Sequence, residues 1–328
     1  MTPTIRLKQL DLPTVVQSPM ANCTDLPFRL IARSQGMAFA FLEMVSSEAL
    51  VRQVPQTVEL MRTVPEDRPL GAQLVGCDPE VMGAAAAQIE AMGYDLVDLN
   101  LGCPVPKIVS KGGGSMLLRE PETAERIFTK VIRAVTRIPV TVKMRLGFSD
   151  GSGKEAVHMA RIAQGCGIDA IAVHGRTREQ GYTGAANYDA IRRVKDAVSI
   201  PVIGNGDVVN GASALRLQTT SNCDGVMLGR GALGNPWIYR EVEAALHHRP
   251  LPPPPNLIER MRIVLHHVAL QARYENQPVG HLRRIVAWYF KELPGVAEFR
   301  DQINHANTVE EMRVLIESFV GARTALAR

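Results

Sequence analysis

Cysteine is scarce and scattered in this sequence. Its five copies, Cys23, Cys77, Cys103, Cys166 and Cys223, lie far apart, with no Cys-x-x-Cys pair. That spacing argues against both a zinc site and a disulfide framework, so a reducing compartment is expected and a metal is not. Apolar runs of membrane-spanning length are lacking too, and the opening MTPTIRLKQLDLP has no hydrophobic h-region. Neither a membrane partner nor a secretory leader is therefore expected, and the cytoplasm is the expected location. No Gly-x-Gly-x-x-Gly succeeds an apolar run, which removes the signature of a resident Rossmann dinucleotide site. Nor does one charge dominate: 37 Lys+Arg against 33 Asp+Glu give a net charge of +4. Such a balance permits a polyanionic partner without requiring one.

The positive feature is alternation. Short apolar runs at 14–20, 38–44, 70–75, 96–100, 140–145, 170–174, 202–205 and 225–228 are strand candidates. Helix-period segments lie between several of them, at 27–34, 79–92, 121–135, 156–166, 188–198 and 212–219, with 49–61 the least regular connection. Eight such runs, alternating with helices, predict an α/β fold with a closed (β/α)8 TIM barrel in preference to an open sheet. At 250–255 the chain reads PLPPPP, a stiff linker that can be neither helix nor central strand. Beyond it, 256–274, 281–293 and 308–320 have helical period and no strands. The expected organisation is a catalytic barrel over 1–249 and a small C-terminal all-helical domain over 250–328, since 328 residues exceed the usual single core. Arg283, Arg284 and Lys291 bunch there beside His281, Trp288 and Tyr289. Such a bunch is either a solvated helix face or a surface for a polyanion.

In a barrel of this kind chemistry collects in the loops at the C-terminal ends of the strands. The fourth run ends in Asn100-Leu101-Gly102-Cys103-Pro104, which sets one thiol on a proline-stiffened turn. A thiol with an ordinary pKa of about 8.5 stays protonated at neutral pH and can give a proton or act as a nucleophile. The first run ends in Ser18-Pro19-Met20, small and open enough to seat a flat ring. Gln73 offers an amide to a heteroaromatic edge. Lys143 on an apolar strand is costly unless an anion pairs with it. His174, with Arg176 two residues on, ends the sixth run, and Tyr182 lies in the next loop. Gly204-Asn205-Gly206-Asp207 and Gly229-Arg230-Gly231 end the last two runs. Those glycines let backbone N–H groups approach a phosphate, with a helix N-terminus expected behind them. Together these features suggest a bound flavin mononucleotide.

The sequence resembles the tRNA-dihydrouridine synthases of bacterial type. The matching stretches are SPMANCTDLPFR (18–29), GAQL (71–74), DLNLGCPVPKIV (98–109), GGSMLL (113–118), VKMRLG (142–147), HGRTREQGY (174–182), PVIGNGD (201–207) and GVMLGRGALGNPW (225–237). It departs at Ser18, where alanine is usual, at Asn22-Cys23, where Gly-Val is usual, and at Gly204, where alanine is usual. The resemblance implies that NADPH reduces bound FMN and that hydride then passes to C6 of a uridine in tRNA, expected in the D-loop. Cys103 would give the proton to C5. FMN would be held by Gln73, Lys143, His174, Asn205, Gly206, Asp207, Gly229 and Arg230, on the seat formed by Ser18, Pro19 and Met20. Asn100, Arg145 and Tyr182 would hold the uracil, and Arg283, Arg284 and Lys291 the tRNA backbone. A monomer is expected. Two other readings stay open: an FMN-dependent oxidoreductase of a free pyrimidine or other small conjugated substrate, and a non-catalytic RNA-binding barrel.

Overall fold

The structure, a computed structural model, describes residues 4–326 except Glu292 and Pro294. An antiparallel hairpin, β1 (Thr4–Leu7) and β2 (Leu10–Pro13), comes first. Its Ile5, Leu7 and Leu12 pack with Leu96 and Ala170, the first residues of their strands, so the hairpin closes the N-terminal end of the barrel. The barrel strands are β3 (Val15–Gln17), β4 (Ala40–Phe41), β5 (Val45–Ser46), β6 (Leu70–Val75), β7 (Leu96–Leu101), β8 (Val140–Arg145), β9 (Ala170–His174), β10 (Val202–Asn205) and β11 (Gly225–Leu228). All pair in parallel, in the order β3-β11-β10-β9-β8-β7-β6-β4, with β5 also on β6. The ring is nearly closed: Gln17 N–H donates to Phe39 O at 3.0 Å across the remaining seam. Every residue of β6 and β7 is buried, as expected of strands covered on both faces.

The run expected at 38–44 contains only the short strand Ala40–Phe41, and a second, Val45–Ser46, comes just after it. Leu42 N–H still bonds to Gly71 O at 2.8 Å, but the Glu43 carboxylate turns to accept Asn22 N–H at 2.7 Å, which interrupts the ladder. The first run stops at Gln17, two residues before Pro19, which has no N–H to donate. The irregular segment near 49–61 contains two short helices, Ser47–Val51 and Pro55–Leu60. Neither the hairpin nor the helix Val296–His305 was expected from the sequence.

Past the proline run, the helices Leu257–Tyr274, Pro278–Phe290, Val296–His305 and Val309–Leu326 bury an apolar cluster of their own, centred on Phe290, Phe299 and Phe319. They dock on the mouth end of the barrel. Gly234, at φ +69°, comes so close to the Trp288 backbone that a Cβ would sit 2.3 Å from its carbonyl. Gln271 donates to Asp25 at 2.6 Å, Arg284 to Asn22 O, and Arg62 to Tyr274 O. Below this junction, Arg29 and Arg33 meet Asp67, at 2.8 and 3.1 Å, inside the protein. Asp67 is fully buried and Arg29 is 1% exposed. Removing one member leaves uncompensated charge in a dry site. Asp67→Ala should therefore lower unfolding stability by about 3–5 kcal/mol in urea titrations; a loss below about 1 kcal/mol would show that the arginines find other partners.

Candidate active site

Because all the barrel strands run the same way, their last residues gather at one end, around a cavity of about 1340 Å³. Every residue expected at the site lines it except Arg283 and Arg284.

Cys103 sits on a turn that Asn100 holds. The Asn100 Oδ1 accepts the N–H groups of Gly102 at 3.0 Å and Cys103 at 2.8 Å. Its Nδ2 donates to Gln73 Oε1 at 2.7 Å, and Gln73 Nε2 donates to Asp98 Oδ2 at 2.6 Å. Thr141 Oγ1 donates to the other oxygen of Asp98, at 2.6 Å. Asp98 is only 1% exposed. Arg145 fastens the far side of the turn, donating to Gly102 O at 2.8 Å and to Thr177 O and Gly181 O in the next loop. Gly114, at φ +58°, packs so near that a Cβ would lie 2.8 Å from Cys103 O. This is the local reason for the glycine run. Burial pushes the Cys103 thiol above its ordinary pKa, against the pull of the Val105 N–H, Arg145 and Lys143. The group is therefore a thiol, a proton donor, at neutral pH.

Lys143 lies beside Asn100 in the β7–β8 register. Among the described residues its ammonium has no hydrogen-bond acceptor. Burial first, then Arg145, push its pKa down to about 8, while Asp98 and Cys103 pull it up. Burial raises Asp98 to about 6, against the bonds from Thr141 and Gln73 and the charge of Lys143. His174 is driven to about 2 by burial and by Lys143, Arg145, Arg176 and Arg230, so its ring is neutral. Arg176 Nη1 approaches His174 Nε2 at 3.4 Å. Arginine can only donate, so Nε2 accepts and the ring proton is on Nδ1.

At the last two strand ends, Asn205 Nδ2 ties β10 to Met227 O of β11 at 2.8 Å. Asp207 is held at φ +53° by Arg176 Nη2, which donates to both its carboxylate oxygens at 2.7 and 2.8 Å, and by Ala186 N–H. The backbone N–H groups of Gly206, Asp207, Gly229, Arg230 and Gly231 donate to no acceptor among the described residues. Gly206 and Gly231 pack so tightly against the protein that Cβ atoms on them would lie 2.7 Å from Ala186 Cβ and 2.2 Å from Val208 O. Behind the first of these loops the N-terminus of the helix Gly211–Ser221 is closed: the Glu241 carboxylate takes Gly211 N–H at 2.8 Å, and Asn210 takes that of Ser213. Behind the last loop the N-terminal turn of the short 3-10 helix Arg230–Ala232 stays open, with no side chain capping it. Ser18 is pinned to Leu228 O at 2.7 Å, and Met20 to Thr24 Oγ1 at 3.0 Å. Tyr182 is 58% exposed at the rim, with the Arg230 guanidinium 4.3 Å from its ring centroid and that of Arg145 5.6 Å away. Lys291 lines the cavity from the helical side. Arg283 donates to Ala306 O at 2.9 Å, inside the helical region, and the exposed Arg284 to Asn22 O.

Asp98, Thr141 and Arg176 were not among the expected site residues. A carboxylate in an apolar strand and an arginine two residues past His174 were the available signals.

The fold and this cavity define a (β/α)8-barrel enzyme. Residues 16–324 match the family described as dihydrouridine synthase. The chain is 39% identical over 320 residues to the probable tRNA-dihydrouridine synthase of Rickettsia typhi, covering 96% of this chain and 97% of that protein. It is 38% identical over 315 residues to tRNA-dihydrouridine synthase B of Xanthomonas campestris, with 95% and 94% covered. Among solved structures, histamine dehydrogenase from Rhizobium sp. 4-9 shares the fold, with a TM-score of 0.57 at 12% identity over 82% of this chain and 50% of that longer one. The chain belongs to the dihydrouridine synthase family.

The lysine makes a prediction about the protein without ligand. Its folded pKa, about 8, lies below the ordinary value, so the unfolded chain binds the proton more tightly. Its cost to stability is fully present below about pH 8 and fades as pH rises towards about 10.4. Lys143→Met should be more stable than the parent at pH 7, by on the order of 1–2 kcal/mol, and the gap should shrink by pH 10. Urea unfolding at the two pH values measures it; a gap independent of pH would show that the ammonium is adequately solvated.

Proposed function

We propose that this protein is a tRNA-dihydrouridine synthase that reduces the C5=C6 bond of a D-loop uridine, using bound FMN that NADPH re-reduces. The observation that carries the proposal is one cavity containing a protonated thiol on a locked turn, a lysine without an acceptor on the next strand, and, opposite them, a set of unsatisfied backbone donors, as judged among the described residues. Those donors suit FMN: the N–H groups of Gly206, Asp207 and Gly229 to Gly231, with Arg230, would hold its phosphate. Lys143 would supply the counter-charge at the pyrimidine edge of the ring, where Gln73 has one amide N–H to spare and His174 has its Nδ1–H. Ser18, Pro19 and Met20 would seat the ring face, and Asn205 would keep the two phosphate loops together. When bound and reduced, FMN is the hydride source for C6.

The protein's own part is the proton. Cys103 Sγ gives its proton to C5, general-acid catalysis by a group that burial keeps protonated until it is needed. The thiolate left behind is balanced by the Val105 N–H, Arg145 and Lys143, and solvent reprotonates it. Two hydrogens are thereby added, one as hydride and one as a proton. Arg145 spends Nε and Nη1 on backbone carbonyls, which leaves Nη2 for a uracil oxygen, and Tyr182 would flank the base. Asn100 retains one amide N–H for the uracil, yet its larger part is to hold the turn. The uridine has to leave its stack to reach the cavity, at a cost of a few kcal/mol. The barrel, 1–249, would do the chemistry, while the helical region, 250–328, would grip tRNA and offset that cost. Lys291 and the exposed Arg284 stand at the mouth for that purpose. Arg283, half-buried against Ala306 O, would mainly hold the helices together.

Cys103→Ala should retain bound flavin and its reduction by NADPH, and lose about 10²–10⁴-fold in turnover of unmodified tRNA. NADPH consumption with and without tRNA measures both properties. Near-parental tRNA turnover would remove Cys103 from the acid role, and consumption stimulated by free uracil instead of tRNA would favour the free-pyrimidine reading.

A further inference from the structure

On the side of the mouth away from the helical region, three strand-end loops converge on the ring of Phe148. Arg119 closes the 3-10 turn Gly114–Arg119 that comes after the Cys103 turn, and its guanidinium carbon lies 3.9 Å from the ring centroid. Arg178, four residues beyond β9, lies 5.0 Å from the same centroid. The ring itself is fixed. Phe148 is buried, the Glu155 carboxylate takes its N–H at 2.8 Å, and its carbonyl accepts Glu179 N–H at 3.0 Å. Arg178 N–H to Gly147 O, at 2.9 Å, and Leu146 N–H to Arg176 O, at 3.2 Å, join the two loops into one platform.

Two guanidinium groups are thus brought to one ring, with centroid distances of 3.9 and 5.0 Å. Neither has a carboxylate within salt-bridge distance among the described residues, and Arg178 Nε is buried with no acceptor. Stacking on an aromatic face holds a guanidinium in place and leaves its in-plane N–H fork open. Two like charges on one ring, with no carboxylate beside either, repel, and a nearby anion would relieve that. Phosphate suits such groups, because its oxygens can accept two parallel N–H bonds from a guanidinium fork.

We infer that Arg119 and Arg178, seated on Phe148, form a binding site for RNA backbone phosphate on the barrel itself. The inference rests on the tRNA reading and extends it. In the strand order β8 is half-way round the ring from β3, and the loop after β3 carries Asn22 and Asp25, where the helical region docks. A tRNA lowering one uridine into the mouth would then be held on both sides of it, by the helices and by this pair. Neither arginine lines the cavity proposed to hold the flavin. The position therefore favours a folded RNA resting on the rim over the phosphates of the nicotinamide reductant.

The test is binding of an unmodified tRNA transcript to the flavin-loaded full chain at three salt concentrations, comparing the parent with R119Q/R178Q and R119K/R178K. The Gln pair should bind about tenfold more weakly near 0.1 M salt, and its slope of log K against log [salt] should be flatter by about one to two units. The Lys pair, which retains charge, should recover most of that slope. A parental slope in the Gln pair overturns the inference, as does an unchanged slope with a raised KM for NADPH, which would assign the site to the reductant. If the Lys pair is as weak as the Gln pair and both melt early, the arginines serve packing and the inference fails. Salt-independent or absent binding by the parent would overturn the tRNA reading itself.

Discussion

The site depends on one hydrogen-bond chain that crosses three strands. Register places Gln73 beside Asp98, and Asp98 beside Thr141. A carboxylate can only accept, so Asp98 compels Gln73 to present its NH₂ to it and its oxygen to Asn100. Asn100 must then donate with Nδ2, which turns its oxygen towards the N–H groups of Gly102 and Cys103. Two amides that could each flip are thereby fixed in one orientation. Burying a carboxylate costs several kcal/mol without such partners, and here the donors from Thr141 and Gln73 offset part of that cost. The return is a cysteine whose backbone has little freedom, on the side of the cavity facing the unsatisfied amides.

Electrostatics complete the arrangement. Lys143, Arg145, Arg176 and Arg230 surround His174, and only Asp98 and Asp207 oppose them nearby among the described residues. Such a cavity is short of negative charge, and an anionic ligand would relieve it. The same positive field that would bind that ligand also steadies a thiolate after Cys103 has given up its proton, while burial maintains the proton beforehand. These are opposite demands, and the site meets them by limiting solvent at the sulfur while keeping cations within Coulombic reach.

Much of this was legible in the chain. Alternating apolar runs give the barrel because parallel strands buried on both faces leave continuous apolar stretches. The Asn-x-Gly-Cys-Pro turn and the lysine within an apolar run mark the site because neither has a cheap structural purpose. Less legible was anything that depends on a distant partner. The expectation of a helix N-terminus behind the phosphate loops failed at the first of them because Glu241, 30 residues from Gly211, occupies it, whereas the second opens into the short 3-10 helix Arg230–Ala232. Arg283 and Arg284 share a helix, and spacing alone could not tell that one faces Ala306 O and the other Asn22 O. Asp98 reads as a carboxylate in a strand until register supplies Gln73 and Thr141. The N-terminal hairpin was missed because its short strands mix exposed and buried residues and form no continuous apolar run.

The central claim is that this cavity adds two hydrogens to a uridine in tRNA. Its most direct measurement is mass spectrometry of nuclease fragments from an unmodified tRNA transcript incubated with the flavin-loaded protein and NADPH. A gain of two hydrogens is expected at a uridine of the D-loop, with the one at C5 drawn from solvent and therefore deuterium when the reaction is run in D₂O. Unaltered transcript in the presence of a reducible flavin would contradict it, and so would a product whose C5 carries no solvent deuterium.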